Sequence, residues 1–215
     1  MLFYFIPFIF INSVKPQNNN DEIISLPGLN FKPNFKQYSG YLDVSDKDSL
    51  FYWLITSQNN NENAPLIVWF NAPGTETSQG CSPLEVLFTG IGPYLINSNG
   101  TLDKNEHAWN KNASLLFIET PKSTGFSYLK TNDEYFRTGD NQTADENYVA
   151  LKQFFNKYPN YKKNELYFAG ISYAGYTAPL LARRVLDGNK NFRLNLKVKL
   201  KVLMKSYSES TSNKV

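Results

Sequence analysis

The segment Gly170-Ile171-Ser172-Tyr173-Ala174-Gly175 is the feature that most constrains the fold of this chain. It follows a short apolar run, Leu166 to Ala169, and opens a helical stretch from Tyr173 to Leu186. A Gly-x-Ser-x-small pattern between a strand and a helix predicts a sharp, strained turn, which holds the serine hydroxyl clear of the sheet above a helix N-terminus. The pattern therefore predicts Ser172 as a candidate nucleophile.

The partners that such a serine needs are missing from the residues that follow it. A serine hydroxyl is a weak nucleophile until a base takes its proton. On a scaffold of this kind, the acid and the histidine follow the serine along the chain. The sole histidine, His107, precedes Ser172 instead. We interpret His107 as a surface or loop residue and expect the 215-residue chain to carry an incomplete catalytic triad.

Apolar periodicity predicts an α/β fold. The predicted elements are strands at 36–44, 50–56, 65–70, 114–119 and 166–169 and helices at 140–158 and 173–186. The last three strands are continuous apolar runs, as expected for buried strands, and alternate with helical segments. This order predicts a mostly parallel sheet with flanking helices. Residues 194–202 alternate strictly between apolar and polar residues, which indicates a half-exposed strand.

The net charge of +3 is unevenly distributed along the chain. Residues 183–215 contain nine Lys/Arg and two acidic residues, whereas the remainder carries 13 basic and 17 acidic residues. A basic end of this kind is compatible with nucleic acid or anionic lipid, or with a solvated terminus that binds neither. We favour the solvated terminus and predict no nucleic-acid partner.

Several local signals predict a secretory protein. Residues 1–11 are almost wholly apolar and too short to span a bilayer, so we interpret residues 1–14 as a signal peptide, with no stable membrane anchor. The alternative is the N-terminus of a mispredicted gene. Asn99, Asn112 and Asn141 each begin a glycosylation sequon. The only cysteine, Cys81, lacks an internal disulfide partner, which in a secreted protein suggests a missing one.

A series of short motifs occurs in an order that identifies a family. They are Leu26-Pro27-Gly28, Tyr38-Ser39-Gly40-Tyr41-Leu42, Phe51-Tyr52-Trp53-Leu54, Ala64-Pro65-Leu66-Ile67-Val68-Trp69-Phe70-Asn71, Cys81-Ser82-Pro83-Leu84, Gly92-Pro93-Tyr94, Trp109-Asn110, Leu115-Leu116-Phe117-Ile118-Glu119, Gly125-Phe126-Ser127-Tyr128 and the serine turn. With these motifs the chain resembles the serine carboxypeptidases, most closely their lysosomal protective-protein (cathepsin A-like) branch. The resemblance extends over roughly 24–197.

The resemblance implies an α/β-hydrolase fold and removal of single residues from peptide C-termini, without a metal or other cofactor. It assigns Ser172 as the nucleophile and the backbone N–H of Tyr173 as one oxyanion donor. It also implies that Asn71 helps to bind the terminal carboxylate of the substrate. Cys81 matches a family cysteine whose disulfide partner lies far downstream.

Three departures from the family pattern affect the predicted site. After Asn71 the chain has Ala72-Pro73-Gly74 and then five extra residues, 75–79. Counted from Asn71, the family residue that supplies the second oxyanion N–H corresponds to Pro73, which has no N–H. This leaves Ala72 or Gly74 as candidates for that donor. Ile171 stands where the family has a glutamate that holds the substrate carboxylate. The segment 121–125 also departs from the family's run of small residues.

Two functional hypotheses follow from these motifs and departures, and an acyltransferase of the same family is a third that no residue singles out. In the first, residues 22–197 are the N-terminal part of a secreted or lysosomal serine carboxypeptidase, and 198–215 are a divergent basic tail. We interpret this tail as the product of a frame change or a wrong splice junction; the alternative is a real, short paralogue. In the second, the chain is a secreted, non-catalytic pseudoenzyme with a remnant peptide-binding groove. A truncated α/β-hydrolase domain is expected in either case, and the oligomeric state stays open.

Overall fold

The computed structural model describes residues 21–59, 61–71, 82–129 and 138–197. Its strands are β1 (Gln37–Asp43), β2 (Asp48–Ile55), β3 (Leu66–Phe70), β4 (Tyr94–Ile96), β5 (Leu102–Lys104), β6 (Ser114–Ile118), β7 (Tyr128–Leu129) and β8 (Leu166–Gly170). Its α-helices are α1 (Leu84–Thr89), α2 (Asp140–Lys157) and α3 (Ala174–Gly188), and 3₁₀ turns cover Trp109–Lys111 and Pro159–Lys163. The strands and helices predicted between 36 and 188 are confirmed to within two residues at each end. The short helix α1 and the β4–β5 hairpin were not predicted.

The main sheet has the strand order β1-β2-β6-β3-β8, with β7 beside β2. The strands β6, β3 and β8 run parallel, whereas β1 and β2 pair with their neighbours in antiparallel fashion. In the parallel part, Trp69 of β3 pairs with Phe117 of β6, and Phe70 pairs with Gly170 of β8. The residues that follow these three strands therefore emerge side by side at one edge of the sheet. That edge carries Ser172.

Two hydrophobic clusters cover the two faces of the sheet. Because side chains alternate along a strand, Leu66, Val68 and Phe70 of β3 face one cluster, whereas Trp69 faces the other. The helices α2 and α3 pack on the first face, and residues of α1 and of the β4–β5 hairpin on the second. The sheet is thus a central layer between helices, as the apolar runs predict.

The strand β8 is less buried than its continuous apolar sequence predicts. Leu166 and Phe168 are buried on the side covered by α3, but Tyr167 and Ala169 on the other side are only half-buried. Beyond β8, Lys197 N–H donates to the carbonyl of Leu166 (2.8 Å), and Leu196 forms a parallel bridge with the same residue. The rest of the alternating segment predicted at 194–202 lies outside the described residues, as do residues 1–14.

Candidate functional site

Ser172 occupies a strained turn between β8 and α3. Its φ of +57° lies in the left-handed region, which costs a non-glycine residue about 1–3 kcal/mol and recurs at functional sites. The side chain is exposed. Two positions before it, a Cβ on Gly170 would lie 2.5 Å from both the Phe70 carbonyl oxygen and the Ala174 Cβ. Only glycine fits there, which explains the small residues of the pattern.

Tyr173 follows the serine at the N-terminus of α3. Its carbonyl accepts hydrogen bonds from the N–H groups of Tyr176 (2.9 Å) and Thr177 (3.4 Å). Its phenol donates to Asp140 Oδ1 (2.6 Å), and this hydrogen bond raises the pKa of Tyr173. Its own N–H has no acceptor among the described residues, as is usual for the first N–H groups of a helix. The group is therefore available to an anionic oxygen at Ser172.

Asn71 follows β3 at the same edge of the sheet and is held on both ends of its amide. The indole N–H of Trp69 donates to Asn71 Oδ1 (2.6 Å), and Asn71 Nδ2 donates to the carbonyl of Ser82 (2.9 Å). The residue is 7% exposed. Because the second N–H of Nδ2 is not committed to either bond, the amide can still donate to a ligand.

Glu119 is a buried acid at this edge that the sequence reasoning did not single out. It follows β6, and its carboxylate accepts hydrogen bonds from Ser82 Oγ and from the N–H of Phe126. Burial raises the pKa of Glu119, although the hydrogen bonds from Ser82 and then Phe126 oppose the shift. Its position directly after a predicted buried strand could have identified Glu119 as a candidate site residue. Glu119 thus holds Ser82, whose carbonyl accepts the hydrogen bond from Asn71.

An open cavity of about 600 Å³ adjoins this acid. Its lining residues are Ser82, Leu84, Glu85, Phe88, Thr89, Ile96, Glu119, Gly125 and Phe126. The wall is largely apolar, with the Glu119 and Ser82 side chains as polar groups on the side nearest Asn71. A cavity of this size and composition accommodates one amino-acid side chain with room to spare.

The departure at 121–125 brings a lysine into the interior. Lys122 is 9% exposed, and its Nζ lies 2.9 Å from both Asp48 Oδ2 and Glu146 Oε1. The ion cluster joins the loop after β6 to the start of β2 and to α2. Two carboxylates compensate the buried ammonium, which explains how a charged residue fits at this point of the loop.

Other residues singled out in the sequence lie outside the site or outside the described part. Gly74, Ala72, Pro73 and Cys81 are not among the described residues. His107 is exposed and lines a different cavity with Pro65 and Ala113, which precede β3 and β6 and so mark the opposite edge of the sheet from Ser172.

The remaining predicted residues are at the surface. Ile171, for which the resemblance implies a glutamate in the family, is 41% exposed beside Ser172. The sequon asparagines Asn99, Asn112 and Asn141 are all exposed. Asn99 accepts two hydrogen bonds from Thr101 within its own turn.

The described ranges contain neither a metal-binding cluster nor a membrane-spanning helix. No group of three or more His, Cys, Asp or Glu side chains in these ranges is placed to hold a metal ion. No helix of the same ranges has the length and apolar character needed to cross a bilayer.

Comparison with known proteins gives a consistent result. The serine carboxypeptidase family pattern matches residues 27–203. The chain is 46% identical to the lysosomal protective protein of Mus musculus over 170 residues, and 41% identical to a serine carboxypeptidase of Caenorhabditis elegans over 194 residues. These alignments cover 79% and 84% of this chain.

Among solved structures, the fold matches a prohormone-processing carboxypeptidase of Saccharomyces cerevisiae with a TM-score of 0.69 and 25% identity, covering 85% of this chain and 42% of that one. The mixed sheet and its flanking helices are thus part of the carboxypeptidase α/β-hydrolase fold. The chain spans about a third of the two curated relatives, 34% and 33% of their lengths.

Proposed function

Because the chain belongs to the serine carboxypeptidase family, we propose that it carries the nucleophile half of a site that releases C-terminal residues from peptides. The observation that carries this proposal is the geometry at Ser172. Ser172 is an exposed residue at φ +57°, and it immediately precedes the N–H of Tyr173, which has no acceptor among the described residues; this arrangement suits attack on a carbonyl.

In the proposed reaction, Ser172 Oγ attacks the carbonyl of the last peptide bond. The negative charge that develops on the carbonyl oxygen is met by the N–H of Tyr173 at the N-terminus of α3. Loss of one such donor costs about 3 kcal/mol of transition-state stabilisation. Ala72 and Gly74 stay candidates for a second donor.

Substrate recognition is proposed to involve Asn71 and the adjoining cavity. The Asn71 amide is oriented by Trp69 and by the Ser82 carbonyl, so its remaining N–H is preorganised to meet a terminal carboxylate. The cavity beside Glu119 takes a side chain of the substrate. The side chain of Ile171 cannot hydrogen-bond to a carboxylate, and we expect selection for a free C-terminus to be weaker by about 1–3 kcal/mol.

Turnover also needs a base, and no histidine follows Ser172 in the sequence. We therefore propose that residues 1–215 alone bind peptides but hydrolyse them negligibly, because a serine site without its base retains little catalysis.

The proposal also covers secretion and processing. Residues 1–14 act as a signal peptide, and Asn99, Asn112 and Asn141 are glycosylated on the way to the lysosome or cell exterior.

A non-catalytic, secreted binding protein is the second candidate function. The observation that favours it is Ile171. This exposed apolar side chain lies directly beside Ser172, where the family resemblance implies a residue that binds the substrate carboxylate. Pro73, which has no N–H to offer an oxyanion, points the same way. Under this alternative, Ser172 has no role in ligand binding.

The first test measures release of C-terminal residues from a peptide series by the purified chain, together with labelling of Ser172 by an alkyl fluorophosphonate followed by intact-mass spectrometry. The control variants are Ser172→Ala and Ser123→Ala, since Ser123 also has a positive φ but lies in the loop after β6. Slow labelling that disappears only in Ser172→Ala supports the nucleophile. Peptide binding without any labelling supports the non-catalytic binding protein. Rapid hydrolysis that needs Ser172 overturns the proposal that residues 1–215 lack a complete catalytic triad.

A further inference from the structure

We propose that Asp140 is the positioning residue for the backbone N–H of Tyr173, and hence for the oxyanion donor of the proposed site. The inference rests on the proposed function for its catalytic meaning, but the contact itself is a property of the fold. Asp140 is the first residue of α2, 33 positions from Tyr173 along the chain.

The hydrogen-bonding groups of Tyr173 divide into two that are held and one that is free. The phenol is held by Asp140 Oδ1 at 2.6 Å, and the carbonyl is held by the next turn of α3. The N–H has no acceptor in the described part of the chain. A residue anchored at its side-chain tip and at its carbonyl has little freedom to rotate, so its N–H keeps one direction.

The anchor is effective because α2 and α3 are joined independently of it. Arg184 of α3 donates through Nε to Asp145 (2.7 Å) and through Nη2 to Asn141 (3.0 Å), both on α2. These bonds, together with the hydrophobic cluster to which both helices contribute, hold α2 against α3 farther along α3. The bond from Tyr173 to Asp140 adds a third link at the end of α3 that adjoins the strained turn at residues 170–174, called the elbow below.

The elbow needs such a link because its backbone is strained and its helix has no side-chain cap. Ser172 is held at φ +57°, and no side chain in the described part of the protein caps the N-terminus of α3. Strained backbone persists only where the surrounding contacts over-determine it. Because an oxyanion donor displaced by about 1 Å can cost roughly 100-fold in rate, a contact that restrains Tyr173 affects chemistry without touching the substrate.

The test compares Asp140→Ala with Asp140→Asn in the full chain. Asparagine still offers an oxygen to the phenol but removes the negative charge at the N-terminus of α2, whereas alanine removes both. The readout is the ¹⁵N order parameter of the Tyr173 N–H. We expect a value near 0.85 in the unmodified chain and in Asp140→Asn, and below about 0.6 in Asp140→Ala.

Two control variants isolate the contact. Tyr173→Phe removes the donor and should behave like Asp140→Ala, whereas Tyr176→Phe removes a neighbouring exposed phenol and should change nothing. Asp145→Asn weakens an α2–α3 link far from the elbow and should also leave the Tyr173 order parameter unchanged. The proposal is overturned if Asp140→Ala leaves the order parameter unchanged, or if Asp140→Asn lowers it as much as alanine does.

The fluorophosphonate labelling rate of Ser172 provides the chemical readout. We expect Asp140→Ala to slow labelling about tenfold or more, and Asp140→Asn to stay within about threefold of the unmodified chain. If Asp140→Ala lowers the Tyr173 order parameter but all variants are labelled at the same rate, the proposed effect of Asp140 on the reactivity of Ser172 is overturned. If the unmodified chain is not labelled at all, the proposed nucleophile fails, and the order parameter alone decides whether Asp140 positions Tyr173.

Discussion

The indole N–H of Trp69 donates a 2.6 Å hydrogen bond to the side-chain oxygen of Asn71, and both residues are buried at the end of β3. In a strand, residues two positions apart point to the same side, so the bond is a direct consequence of the β3 backbone. It fixes the orientation of the Asn71 amide, with the nitrogen toward Ser82. A ligand at this edge therefore meets N–H groups.

Trp69→Phe removes this donor and leaves the Asn71 oxygen buried without a partner. We expect the free energy of unfolding to fall by about 1–3 kcal/mol, measured by urea denaturation. Trp109→Phe is the matched control, because Trp109 packs edge-to-face on Trp69 but is 39% exposed. A loss no larger than that of the control would show that the bond contributes nothing.

Gly170→Ala places a methyl group against the Phe70 carbonyl and the Ala174 side chain. Since backbone atoms cannot move aside cheaply, we expect a loss of about 1–3 kcal/mol and a lower melting temperature. Gly139→Ala, where an added Cβ meets nothing within 4 Å, should cost less than about 1 kcal/mol. Equal melting temperatures for the two variants would contradict the close packing at the elbow.

Ser172→Gly should stabilise the fold while abolishing the fluorophosphonate labelling proposed for Ser172. Glycine adopts positive φ without the Cβ penalty, so we expect a gain of about 1 kcal/mol in the free energy of unfolding over Ser172→Ala. Comparing these two variants cancels the loss of the hydroxyl. If both melt at the same temperature, the turn is not strained in solution.

Lys122→Met removes the ammonium group that lies 2.9 Å from the half-buried carboxylates of Asp48 and Glu146, and we expect the free energy of unfolding to fall by about 3–5 kcal/mol at neutral pH. Arg183→Met, which breaks an exposed pair with Asp187, should leave the free energy of unfolding nearly unchanged. A small effect of Lys122→Met, similar to that of the control, would show that the cluster is solvated.

The same cluster predicts a pH dependence. Burial lowers the pKa of Lys122, but its hydrogen bonds with Glu146 and Asp48 outweigh burial and leave the pKa above the usual 10.5. A raised lysine pKa stabilises the fold fully below the unfolded-state value, and the contribution is lost as the pH rises through the folded-state value. The difference in stability between the unmodified chain and Lys122→Met should therefore shrink above about pH 10.5. A difference that stays constant to pH 12 would be inconsistent with the ion cluster as its source.

The local sequence was sufficient to predict an element where the apolar pattern of that element lies within a single segment. The apolar runs of β3, β6 and β8 and the helical spacing of α2 predicted those elements to within two residues. The helix α1 and the β4–β5 hairpin were missed because six residues and two strands of three residues are too short to establish a period. The burial of β8 was overestimated, because a continuous apolar run does not reveal which face a neighbouring helix covers.

The sequence by itself determined the family and the strand–turn–helix that presents Ser172, because a tight turn needs small residues at fixed spacing and these are local. Only the tertiary structure decided which distant residues support the site. Glu119 accepts a hydrogen bond from Ser82, and Asp140 accepts one from Tyr173. Lys122 forms ion pairs with Asp48 and Glu146. These contacts depend on strand order and on the packing of α2 against α3, which the local pattern of a single sequence does not encode.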